Sequence, residues 1–204
     1  MNWKDEFKKC LNKSIKNSEI QIVQKSSCEF RSDASIIIIS YDLCTKLHEE
    51  LAAKKFGVAI ADEAHYLKNS QAKRTEYISP LLQDIKHVLL LTGTPALAKP
   101  RELFSLLHIL RPDIFRYFKD FGNRYCDPKP SKWTKGLDYD GASNVRELHF
   151  LLSQNLMIRR LKRDVLSELP SKRRQKIEIN VDSKISAQIQ SLLNKNTSAT
   201  LFFY

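Results

Sequence analysis

Hydrophobic residues along the chain fall into short clusters whose spacing changes from one segment to the next. Trp3, Phe7 and Leu11 recur at intervals of four, which puts them on one face of an amphipathic helix that Asn2 can cap. Ile20-Gln21-Ile22-Val23 and the β-branched run Ile36-Ile37-Ile38-Ile39 have the length and apolarity of buried strands. Asp42 opens a helix that runs to about Lys54, Gly57 breaks it, and Val58-Ala59-Ile60-Ala61 follows as a third strand. A helix over about 70–83, interrupted at Pro80, leads to a fourth strand, Val88-Leu89-Leu90-Leu91. Alternating helices with strands that are apolar on both faces predict an α/β fold, a parallel sheet flanked by helices on each side. Such sheets bind ligands at the carboxyl ends of their strands. Beyond Pro100 the pattern turns helical, over about 101–110, 113–125 and 144–154, which predicts an appended helical region. The stretch 127–142 holds Pro128, Pro130, Gly136 and Gly141 but also Trp133 and Tyr139, so it reads as an ordered loop.

Composition narrows the function. Thirty-four Lys and Arg against 23 Asp and Glu give a formal charge of +11 and a pI near 9.5, a field that attracts polyanions. Nucleic acid is favoured over membrane, because no run is long and apolar enough to span a bilayer and the polar opening at Met1-Asn2-Trp3-Lys4 is unlike a signal peptide. Cys10, Cys28, Cys44 and Cys126 are too scattered for a paired metal site or a disulfide framework, and they read as reduced thiols.

Candidate chemistry lies at Asp62-Glu63-Ala64-His65, directly after the third strand. A carboxylate at a strand end can hold Mg²⁺ through its water shell, the role that suits Asp62. Its neighbour Glu63 can polarise a water that attacks a γ-phosphate. Taken alone, the same two acids equally suit the start of a helix, where they complement the dipole. The next strand runs into Thr92-Gly93-Thr94-Pro95, a second polar loop at the same sheet edge. Gly93 permits a tight turn there, and the Thr92 and Thr94 hydroxyls can sense the acidic loop.

Asp-Glu-Ala-His followed by Leu-Thr-Gly-Thr-Pro resembles motifs II and III of superfamily-2 helicase-like motors, and the second motif resembles the Swi/Snf branch of DNA translocases. The similarity extends through Ser40-Tyr41-Asp42, Tyr66-Leu67-Lys68-Asn69 and Ile158-Arg159-Arg160-Leu161-Lys162-Arg163-Asp164-Val165. Within that branch, Gly93-Thr94-Pro95-Ala96, Pro100-Arg101-Glu102-Leu103, Arg124-Tyr125-Cys126 and Gly141-Ala142-Ser143-Asn144 look closest to the annealing-helicase, HARP-type group. The resemblance implies ATP and Mg²⁺ as cofactors and Asp62 and Glu63 as the catalytic pair. It makes His65, Thr92, Gly93 and Thr94 the elements that couple nucleotide state to DNA. By analogy, Ser40, Tyr41, Lys99, Arg101, Arg159 and Arg160 touch DNA, which in this group is forked or has single-strand/double-strand junctions. It also implies a nuclear protein that couples ATP hydrolysis to DNA rewinding and replication-fork remodelling.

The same resemblance divides the chain into a partial RecA-like lobe over 1–112, a helical and basic remainder with a linker over 113–181, and an atypical tail over 182–204. Between Met157 and Lys176 stand eight basic residues against Asp164 and Glu168, either phosphate contacts or a solvated charged face. No Gly-Lys pair occurs in the sequence, so the phosphate-binding loop of the family, with the first strand that carries it, is expected to be missing. A second RecA-like lobe is expected to be missing as well. On this reading the chain is a fragment of a translocase. The alternative is a truncated module that binds DNA or a partner without catalysis.

Overall fold

The four strands that the apolar runs predict pair parallel, but in two separate ladders. In the first, β1 (Ile20–Ile22) lies beside β2 (Ile36–Ile38) with Ile20 opposite Ile36 and Ile22 opposite Ile38. In the second, β3 (Val58–Ala61) lies beside β4 (His87–Leu90), with Val58 opposite His87 and Ala61 opposite Leu90. The computed structural model describes residues 3–11, 14–93, 99–131 and 135–160. Residues up to Met157 belong to one structural unit, and Ile158, Arg159 and Arg160 fall in a second and are taken by themselves.

Parallel strands need a crossover, and the two ladders meet that need differently. Between β3 and β4 the chain passes through α4 (Lys73–Gln83), a βαβ unit. The β1–β2 connection has no helix and is organised by the buried side chain of Gln21. Its amide nitrogen donates to the Glu29 carbonyl (2.8 Å), and its oxygen accepts from the Arg31 backbone N–H (2.9 Å). A buried amide is tolerated here because both of its ends are satisfied.

Helix α1 spans Trp3–Leu11, as the spacing predicts; Asn2 lies outside the described residues. The helix expected from Asp42 to Lys54 is two short ones, α2 (Tyr41–Lys46) and α3 (His48–Ala53), separated at Leu47. Its cap is Ser40 rather than Asp42: the Ser40 hydroxyl accepts from the Leu43 N–H (3.3 Å), while the Asp42 carboxylate accepts from Arg74 (2.8 Å). Pro80 sits inside α4 without breaking it. One face of the β3–β4 ladder carries Ala59, Ala61, Val88 and Leu90 against Leu67, Ile78, Leu82, Leu106 and Ile109. On the other face Val58, Ile60 and Leu89 stay exposed at 55%, 43% and 47%, so among the described residues helices cover one face and not both. A cavity of about 610 Å³ lies between β2 and β3, lined by 36–39 and 58–61 and by Trp3 and Phe7 of α1.

Past a 3₁₀ turn at Pro100–Leu103 runs α5 (Phe104–Leu110), followed by α6 (Phe118–Tyr125) and α7 (Val145–Asn155), the appended helical region. The helix expected from Asp113 starts later, since Arg111 closes a local pair on Asp113 (2.8 and 2.7 Å) in the turn before it. Leu106 and Ile109 of α5 join the β3–β4 core, whereas Phe104 and Leu107 join Phe115, Phe121, Tyr125, Leu148 and Leu152. The loop over 127–142 is ordered by a small antiparallel pair, β5 (Lys129–Pro130) with β6 (Leu137–Asp138); Trp133 lies outside the described residues. Tyr139 packs edge-on against Phe118 (5.1 Å between centroids) and lies across Gly122, where an added Cβ would come within 2.6 Å of its ring. No described helix is long and apolar enough to cross a membrane.

Phe104→Ala is expected to destabilise the chain by about 3–5 kcal/mol in denaturant unfolding, because its ring meets both Phe118 and Phe121. Gly122→Ala is expected to cost about 1–3 kcal/mol by overpacking, and a Tyr139→Ala background should remove most of that increment in a double-mutant cycle.

Candidate active site

Parallel pairing makes β3 and β4 end at the same edge, so Asp62-Glu63 and Thr92-Gly93 emerge side by side. Two bonds extend the ladder past the strands: Leu91 N–H donates to the Ala61 carbonyl (2.9 Å) and Ala64 N–H to the Leu91 carbonyl (2.8 Å). The acidic turn is thereby stapled to the strand that carries the threonine loop. Ala64 and Leu67, both fully buried, anchor it from below.

Asp62 is held from three directions. Its Oδ1 accepts from the Glu63 N–H (3.0 Å), its Oδ2 accepts from the Trp3 indole N–H (3.0 Å), and its backbone carbonyl accepts from the Tyr41 hydroxyl (2.7 Å). Burial, followed by the charge of Asp62, pushes the Tyr41 phenol up to about 12, so it remains a donor at neutral pH. A carboxylate offers about four acceptor positions, and roughly half are still open for the water shell of a cation. Hard oxygen donors with room for waters fit Mg²⁺. Among the described residues no group of three or more His, Cys, Asp or Glu side chains forms a metal cluster.

Glu63 has an exposed side chain and a left-handed backbone (φ 50°, ψ 46°), a conformation that costs a residue with a Cβ about 1 kcal/mol. Its Oε2 stands 3.1 Å from His65 Nδ1, which is also 3.3 Å from Thr92 Oγ1. A proton on Nδ1 serves both contacts, since each of the two oxygens can accept. The His65 ring stacks on Tyr66, with centroids 4.6 Å apart. After Glu63 the chain makes a single 3₁₀ turn, Ala64–Leu67, rather than an α-helix, which leaves little macrodipole for the acids to complement.

The other expected site residues are spread more widely. Thr94 lies outside the described residues, and Gly93 does not take the left-handed turn that its identity suggests: no described glycine has a positive φ. Ser40 caps α2. Lys99 and Arg101 converge on one carboxylate, Asp140, with Lys99 Nζ on Oδ2 and Arg101 Nη1 2.5 Å from Oδ1. These two cations hold the Asp140 carboxyl below its usual range. Arg159 and Arg160 are exposed, and the basic residues from Lys162 onward lie outside the described residues. Three contacts have no signal in the local sequence: Trp3 on Asp62, Asp140 between the two cations, and Arg74 over the rings of Tyr41 and Tyr66 (5.8 and 5.3 Å).

Residues 1–201 match the model of the SNF2-related domain. The chain is 42% identical over 177 residues to the "SWI/SNF-related matrix-associated actin-dependent regulator of chromatin subfamily A-like protein 1" of Xenopus tropicalis, covering 87% of this chain and 18% of that protein. It is 36% identical over 196 residues to the human "DNA annealing helicase and endonuclease ZRANB3", covering 93% of this chain and 18% of that one. The chain thus spans about a fifth of the length of the curated relatives it matches. Among solved structures, the SWI2/SNF2 ATPase core of Sulfolobus solfataricus in complex with double-stranded DNA aligns with a TM-score of 0.61 at 21% identity. That alignment covers 98% of this chain and 41% of that one and shows a shared fold, the RecA-like core. With its parallel ladders, its paired loops and nearly its whole length in agreement, the chain belongs to the SNF2-related domain family.

Proposed function

We propose that this chain is the motif II and III portion of an ATP-dependent DNA translocase that rewinds DNA and remodels forked or junction-containing substrates in the nucleus. The observation that supports this reading best is the convergence of Asp62, Glu63, His65 and Thr92 at one edge of the β3–β4 ladder. Annealing activity comes from likeness to the relative named as a DNA annealing helicase, and nuclear location from the relative named as a chromatin regulator.

In the proposed mechanism Asp62 would hold Mg²⁺ through its water shell, and the ion would supply charge neutralisation on the phosphates of ATP. Glu63 accepts a proton from the attacking water through its exposed carboxylate. His65 then links the two loops, because its Nδ1 touches Glu63 and Thr92 together. A change in the charge of Glu63 alters how that shared nitrogen divides its hydrogen bond with Thr92, the residue before Gly93. In the same reading Thr94 couples the loop to DNA, and Ser40, Tyr41, Arg159 and Arg160 contact it. Lys99 and Arg101 exchange Asp140 for a DNA phosphate on binding.

A second reading is carried by the absence of any Gly-Lys pair from the sequence: the chain by itself binds DNA without turning over nucleotide. The two readings separate on two measurements. In a protein that includes an upstream phosphate loop and a second lobe, Glu63→Gln should lower DNA-stimulated ATP hydrolysis at least about a hundredfold while leaving DNA binding intact. Hydrolysis that survives the substitution removes Glu63 from the role of base. For the 204-residue chain alone, log K for duplex DNA should fall with log salt concentration, and Lys99→Ala with Arg101→Ala should flatten that slope by about 2.

A further inference from the structure

Trp3 belongs to α1, an element with no buried residue, and stands 59 positions from Asp62 in the sequence, yet its indole N–H is committed to the Asp62 carboxylate. Its ring is packed against Phe7, with centroids 5.6 Å apart, and both rings form part of the cavity wall between β2 and β3. An indole has one donor and no acceptor, so the bond at 3.0 Å has a fixed direction. The Glu63 N–H grips the opposite oxygen. A carboxylate held at both oxygens by groups from different elements cannot rotate about its terminal torsion without breaking one of them, and that torsion is otherwise broad.

We infer that Trp3 is a positioning residue for Asp62: its indole N–H sets the plane of the carboxylate and thereby aims the remaining acceptor positions at the hydration shell of a divalent cation. This rests on the proposed role of Asp62 at the metal. The bond also ties the carboxylate to the packing of α1 against the cavity, so a change in the seating of that helix is transmitted to the metal ligand through one side chain. Donors of this kind behind metal ligands typically change affinity by about 10–100-fold when removed.

The test uses the 204-residue chain with Mn²⁺ as probe, free ion being monitored by electron paramagnetic resonance in the wild type, Trp3→Phe and Asp62→Asn. Phenylalanine keeps an aromatic ring but loses the donor together with the fused five-membered ring, and thermal melts of all three separate lost packing from the lost donor. In a Trp133→Phe chain Trp3 supplies the remaining indole resonance, which bound Mn²⁺ should broaden and Asp62→Asn should shift. Expected are loss of the site in Asp62→Asn and about tenfold weaker Mn²⁺ binding in Trp3→Phe, with unchanged melts. Wild-type affinity in Trp3→Phe beside loss in Asp62→Asn overturns the positioning role and leaves the metal assignment standing. No Mn²⁺ binding by the wild type, or unchanged binding in Asp62→Asn, overturns the metal assignment and the inference with it. If Trp3→Phe lowers the melt, the indole resonance decides: no shift in Asp62→Asn overturns the inference.

Discussion

The in-register parallel pairing of β3 with β4 fixes where everything chemical in this chain can be. Parallel strands are joined by a crossover that returns the chain to its starting edge, so both carboxyl-terminal loops must leave on the same side. The pairing continues beyond the strands through Leu91 and Ala64, which turns two neighbouring loops into one hydrogen-bonded body. Had the register slipped by one residue, Ala59 and Ala61 would exchange faces with Val58 and Ile60. The small alanines let α4 and α5 approach the ladder closely, with Ile78, Leu82, Leu106 and Ile109 filling the space.

Helix α5 carries that order into the rest of the unit. Seven residues long, it has five buried side chains and serves two cores, one around the ladder and one around α6 and α7. Polar contacts reinforce the junction: Ser105 Oγ donates to the Lys68 carbonyl (3.1 Å), and Lys68 pairs with Glu102 (3.1 Å). The segment just after the acidic loop is therefore bound to the start of the helical region. Lys99 and Arg101, reaching from the same junction to Asp140, bind it to the loop after β6.

Local signals in the sequence were strong where a single element decides the outcome. Strand identity, the α/β class and the acidic loop after Val58–Ala61 all follow from short apolar runs and their neighbours. The illegible features depended on distant partners. The partition of the strands into two ladders requires knowing that β2 and β3 face a cavity rather than each other, and no run of isoleucines encodes that. Ser40 displaced Asp42 as the cap because Arg74, 32 positions away, claims the aspartate. The net charge of +11 likewise does not say where the field lies, since Arg74, Lys68, Lys99 and Arg101 are each paired with an acid that the balance already counts. At the site itself the placement of Asp62 and Glu63 beside the threonine loop was legible, whereas Trp3 had only the helical spacing of a packing residue.

The left-handed backbone at Glu63 reaches beyond chemistry into the kinds of change this position can accept over evolutionary time. β-branched and bulky residues are poorly tolerated at positive φ, whereas Asn, Asp and Gly are at ease there. Drift at position 63 therefore passes through a conformational filter before any question of proton transfer arises. A lineage that loses the carboxylate by way of Asn or Gly can relax the turn and gain stability while losing the proposed base. A turn of this shape is thus easier to alter in chemistry than to misfold, and a descendant without the carboxylate would keep the fold of its ancestor.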